Sequence, residues 1–231
     1  HGGAVRVWDM ETGQPLRTYG NRSRHLAAVA MSPDGGWLAV SVSDLFNEDR
    51  TVRLWDLASG AQSAILKGHE KSVYHLAFTP DSRELLAGSW NGSIKRWNPA
   101  TGESVGTLRG FEGTLAGMAV SPDGRFLATA NSSKGAQGWD LTQGSRVGAW
   151  DAVKGDIRAV AFTPDSSGVV SGGINDKARL RAVATAAEVR SFDAYPSEVT
   201  SVAVSPDGSR AYPELGITDL QVVQQAQFFQ R

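Results

Sequence analysis

The chain has 231 residues, no Cys, 26 Gly and a net charge of -1. So small a charge gives no field to draw the protein onto nucleic acid or an anionic membrane, and neither is expected as a partner. The missing Cys removes disulfides, thiolate nucleophiles and thiolate metal sites together, and no apolar run approaches the ~20 residues of a membrane span.

In chain order, Val5 to Trp8 and Pro15 to Tyr19 read as two strands joined by a turn that contains Thr12-Gly13. After the apolar run Leu26 to Met31 comes Ser32-Pro33-Asp34-Gly35, in which Pro fixes φ and Gly takes a positive value. That turn returns as Thr79-Pro80-Asp81-Ser82, Ser121-Pro122-Asp123-Gly124, Thr163-Pro164-Asp165-Ser166 and Ser205-Pro206-Asp207-Gly208, with proline spacings of 47, 42, 42 and 42. Trp8-Asp9, Trp55-Asp56, Trp97-Asn98 and Trp139-Asp140 keep the same beat, with Arg181 and Val223 at the next two places.

Each unit repeats one local pattern. An alternating run such as Val73 to Phe78 or Leu115 to Val120 leads into the turn, and a short run such as Phe126 to Ala130 follows. A polar turn, a strand such as Val52-Arg53-Leu54-Trp55-Asp56, a Ser-Gly or Thr-Gly turn, and a fourth strand such as Ser104 to Leu108 complete it. Four strands in about 42 residues make one propeller blade. The last unit opens well with Val199 to Val204, but Pro213 falls where its second strand should run. Beyond it, Leu220 to Gln224 fits either a worn third strand or a helix capped by Thr218-Asp219.

With Gly68-His69 ahead of a first strand, these landmarks resemble the WD-repeat β-propeller family over nearly all of residues 1 to 212. The resemblance implies an all-β propeller of four-stranded antiparallel blades. Blades are expected at about 1–20, 21–67, 68–109, 110–151, 152–193 and 194–212, four complete and two incomplete, with 213–231 a degenerate or non-propeller tail. They would form a partial ring of a parent expected to have seven blades. In the family a loop His, a second-strand Ser or Thr, a turn Asp and the Trp form a hydrogen-bonded tetrad. Here the third unit offers His69, Ala87, Asn91 and Trp97, and the fourth Phe111, Thr129, Ser133 and Trp139, so apolar packing must carry more of the load. The fifth unit, with Arg181 in place of Trp, is expected to have the weakest interfaces.

Enzymatic chemistry finds little to work with. Of His1, His25, His69 and His75, the last two are six apart but have no third ligand beside them. The repeated Asp residues could pose as paired carboxylates, yet their recurrence at one turn position marks them as turn caps. Arg22, Arg24 and His25 are too short a basic cluster, without interleaved aromatics, for a nucleic-acid contact. Asn21, Asn91 and Asn131 head Asn-x-Ser triplets, which matter only in a secreted protein; the expectation is cytoplasmic.

The extra residues of the second unit, with Leu45 and Phe46, fall between its second and third strands. On family geometry this loop shares a face with the loop of His69, and the matching loop of the next blade carries Trp90. Leu45 and Phe46 would form a patch with Trp90, extended by Phe111 and Tyr74, or else fold down over their own blade. The function expected is a non-enzymatic scaffold that presents these loops to a protein or peptide, with no cofactor or metal. The alternative is a propeller enzyme (hydrolase, lyase or dehydrogenase) with a site in the central channel.

Overall fold

The computed structural model describes residues 4–20, 25–43, 49–108, 113–132, 134–150, 156–174, 176–192 and 198–215, and every regular element among them is a strand. The chain divides into two compact units, His1–Thr107 and Leu108–Arg231. In the first, β1 (Val5–Trp8) and β2 (Pro15–Tyr19) pair alone. A four-stranded sheet follows in the order β3 (His25–Met31), β4 (Trp37–Ser43), β5 (Val52–Asp56), β6 (Gln62–Leu66). The next sheet orders β7 (Val73–Phe78), β8 (Leu85–Ser89), β9 (Ile94–Trp97) and β10 (Ser104–Leu108) in the same way.

The second unit repeats the plan. One sheet runs β11 (Leu115–Val120), β12 (Phe126–Asn131), β13 (Gly135–Asp140), β14 (Ser145–Ala149), and another β15 (Ile157–Phe162), β16 (Gly168–Gly173), β17 (Asp176–Ala182), β18 (Glu188–Phe192). β19 (Val199–Val204) pairs antiparallel with β20 (Ala211–Leu215). The four complete and two incomplete blades expected from the repeat are therefore present. Pro213 does not stop the second strand of the last unit, which runs through it to Leu215 and past the limit of 212. Among the described residues β20 pairs with β19 alone, and a strand paired on one side tolerates the missing N–H. Residues 216–231, which hold the strand-or-helix alternative, lie outside the described residues.

Strand alternation decides what is buried. In the first unit Ala28, Ala30, Val52, Leu54 and Leu66 of one sheet pack against Val73, Leu76, Phe78, Leu85 and Trp97 of the next. In the second, Ala128, Ala130 and Ala136 meet Val160, Phe162, Val169 and Val183. Trp150, just beyond β14, is buried among them, its indole N–H donating to the Val183 carbonyl at 3.2 Å and its ring edge-on to Phe162 at 5.8 Å. A Cβ on Gly138 would lie 2.4 Å from the Trp150 ring, so the indole occupies space that only a glycine leaves open. The blade that lost its Trp thus has an aromatic anchor from its neighbour, a feature that the expectation of weak interfaces did not include. Arg181 itself donates to the Ala186 carbonyl and pairs with Glu188, which also holds Arg179.

The recurrent turns bind themselves closed. In the first, the Ser32 hydroxyl donates to Asp34, whose Oδ1 accepts the Gly36 N–H at 2.9 Å, while Ser32 Oγ accepts the Trp37 N–H at 2.8 Å. Where the fourth residue is Ser instead of Gly, the backbone still takes a positive φ, 60° at Ser82 and 61° at Ser166. A non-glycine residue is rare in that region. Each serine gains a bond in return: Ser82 Oγ accepts the Asp34 N–H at 3.1 Å and Ser166 Oγ accepts the Asp123 N–H at 3.0 Å, tying adjacent blades of the same unit.

Ser82→Ala or Ser166→Ala keeps the backbone strain and removes the acceptor, leaving a part-buried N–H without its partner. Each is expected to destabilise by about 1–2 kcal/mol in urea unfolding. Ser→Gly at the same positions also loses the bond but relieves the strain, and should cost distinctly less. Equal losses for Ala and Gly would show that the strained backbone plays no part.

Candidate partner-binding site

The sequence Ser89-Trp90-Asn91-Gly92 makes a tight connection between β8 and β9, and Gly92 holds a φ of 81° that closes it onto the Ser89 carbonyl. Asn91 Oδ1 accepts the Ser93 N–H and hydroxyl within the turn, as the small polar residues of such turns do. The turn is braced on the loop before β7: the Ser89 hydroxyl reaches the carbonyls of Lys71 and Ser72 at 2.9 and 3.1 Å, and the Trp90 N–H donates to Ser72 at 3.0 Å. With its backbone so held, the Trp90 side chain is left 55% exposed, edge-on to half-buried Tyr74 at 5.7 Å. Of the five candidates, the structure brings Tyr74 and Trp90 together; Leu45, Phe46 and Phe111 lie outside the described residues.

The loop before β7 also holds His69. It is buried, and neither ring nitrogen has a hydrogen-bond partner among the described residues. The same holds for the Trp97 indole N–H, while Ala87, at the tetrad's hydroxyl position, is fully buried and supplies no side-chain donor or acceptor. Burial pushes the imidazole down to about 4, and the charge of Lys95 acts in the same direction. In the next blade Thr129 donates weakly to the Gln137 carbonyl at 3.4 Å, and Phe111 and Ser133 are not described. Neither set completes the tetrad that the resemblance implied.

The carboxylates are occupied elsewhere. Asp34, Asp81, Asp165 and Asp207 lie below the ordinary carboxylate value, in each case first because the Ser or Thr two residues earlier donates its hydroxyl. Asp9, Asp56 and Asp140 cap the other turn family, taking donors from Thr12, Ser59 and Thr142. No group of three or more His, Cys, Asp or Glu residues is placed to hold a metal among the described residues.

Comparison with known proteins agrees with this repeat architecture. The model of the WD domain, G-beta repeat, matches residues 13–56, 60–98 and 102–140. The chain belongs to the WD-repeat family. It is 36% identical over 84 residues to WD repeat and SOCS box-containing protein 1 of Homo sapiens, covering 36% of this chain and 19% of that one. It is 31% identical over 93 residues to the target of rapamycin complex subunit wat1 of Schizosaccharomyces pombe, covering 39% of this chain and 28% of that one. A chain in the crystal structure of the mitotic checkpoint complex superposes with a TM-score of 0.81 at 26% identity, over 94% of this chain and 66% of that one. The two sequence matches thus span less than a third of either relative's length.

A histidine buried in the neutral form gives a definite pH profile. As pH falls from 6.5 towards 4, the unfolded chain takes up the proton first, so stability declines across that window, by on the order of 2–3 kcal/mol in total. The turn carboxylates act below it: stability they provide is present above 3.8 and is lost as pH falls towards the value of about 2 held by Asp165 and Asp207. His69→Gln should flatten the upper step of the urea-midpoint profile and leave the lower one. An unchanged upper step would mean that His69 is not buried neutral.

Proposed function

We propose that this chain is a non-enzymatic interaction scaffold, a segment of a WD-repeat propeller that presents loops at one end of its blades to a protein or peptide partner. The observation that carries this reading is Trp90: a large aromatic side chain more than half exposed, on a turn whose backbone is fixed by bonds to the preceding loop. Such pre-ordering limits the entropy lost on binding, and Trp and Tyr are the residues that most often dominate interface energies. The carboxylates that an enzyme would need are used as turn caps. One relative is a subunit of the target of rapamycin complex, and the structural neighbour comes from the mitotic checkpoint complex, which supports a protein partner here.

A larger ring also fits the packing. Val29 and Met31 of β3 pair across to Val40 and Leu38, so all four share one face of the sheet. Leu38 and Val40 are covered with Val5, Val7 and Tyr19 of β1 and β2, whereas Val29 and Met31 remain 47% and 46% exposed. Two further strands beside β1 would cover them.

Two experiments test this reading. Replacing Leu45, Phe46 and Trp90 with Ser in the intact protein should abolish recovery of its partner and move stability by no more than about 0.5 kcal/mol per substitution. A large drop in melting temperature with the partner retained would contradict it. Residues 1–231 alone should self-associate through the open strand edges and apolar face, as light scattering would report; a stable monomer would contradict the larger ring.

A further inference from the structure

Three lysines stand around the Trp90 turn. Lys67 and Lys71 are exposed in the loop before β7, and Lys95 is half-buried on β9. Its Nζ lies 3.8 Å from where a Cβ on Gly68 would sit, and its charge acts on His69 in the same loop. The bonds from Ser89 and Trp90 to Lys71 and Ser72 hold that loop, which leads from the second blade into the third, against the aromatic turn, so the cations and rings gather at the end of the third blade where it begins. None of the three lysines has a carboxylate partner among the described residues. The arginines of these two blades' third strands are engaged: Arg53 with Asp49, and Arg96 with Glu84 through two bonds of 2.7 and 2.8 Å. Only Glu70 opposes the three lysines within the loop.

We propose that Lys67, Lys71, Lys95, Trp90 and Tyr74 form a docking surface for an acidic peptide segment that carries an apolar or aromatic side chain. The proposal rests on the scaffold reading and specifies the chemistry of its partner. Rim charges steer and select the ligand, while the exposed indole offers the apolar contact that holds it. A single-stranded nucleic acid would also find cations beside aromatic rings. The charge of -1 for the whole chain and Glu70 within the loop favour the peptide, because phosphate backbones need a cationic track.

The test uses the intact protein and three fluorescent probes: a short peptide alternating Glu with Leu and Phe, its counterpart with Gln for every Glu, and an oligodeoxythymidine. Anisotropy should show the acidic peptide bound at least about tenfold more tightly than the Gln peptide, with affinity that falls as salt is added. K67Q/K71Q, two exposed changes that leave the melting curve in place, should weaken the acidic peptide by about tenfold and flatten its salt dependence, with K95Q adding to the loss. W90S should weaken both peptides. Equal binding of the two peptides, no binding of the acidic one, unchanged affinity in the lysine variants, or preference for the oligonucleotide would each overturn the proposal. If the cellular partner is lost with W90S but retained with K67Q/K71Q, the scaffold reading stands and the acidic ligand falls.

Discussion

The Asp carboxylate of the Ser/Thr-Pro-Asp turn is the interaction on which this repeat depends. It accepts the hydroxyl two residues before it and the N–H two residues after it, so one side chain closes the connection between first and second strands each time the turn recurs. That closure fixes the register of the pair, and register decides which alternating residues enter the core. Were the turn looser, a one-residue slip would send Ala28, Ala30 and their counterparts to the opposite face.

A second consequence follows from strand direction. The turns between first and second strands lie at one end of each blade, and the connections between second and third strands at the other. The acidic turns with their serine links brace one end, and the turn Ser89 to Gly92 lies at the other. Trp90 and the lysines are placed there, where a change of side chain does not disturb strand pairing. Function in such a protein is carried by what the loops display, not by the sheets.

The strands were legible because each unit restates the same turn, Trp and glycine landmarks at one spacing. Val73–Phe78, Leu115–Val120 and Val199–Val204 begin and end where alternation places them. Pro213 misled because the rule against proline applies to strands paired on both sides, whereas among the described residues β20 pairs with β19 alone. Among site residues, Trp90 was legible as an aromatic where polar residues are usual, and Tyr74 joins it. The lysines were not, since Lys67, Lys71 and Lys95 are scattered in sequence and only strand pairing gathers them. Trp150 left one signal, the glycine at position 138 opposite it. The role of Ser82 and Ser166 left another, a serine where the other turns have glycine, but the acceptor it provides serves a different blade.

Serines in a strained conformation join neighbouring blades into pairs, Ser82 to Asp34 and Ser166 to Asp123. Native-state hydrogen exchange of the Asp34 and Asp123 amides tests it most directly, since these are the groups donated to Ser82 and Ser166. Both amides should exchange only when their unit unfolds as a whole, with protection equal to that of the core strands. Exchange at the rate of an open surface turn would contradict the account.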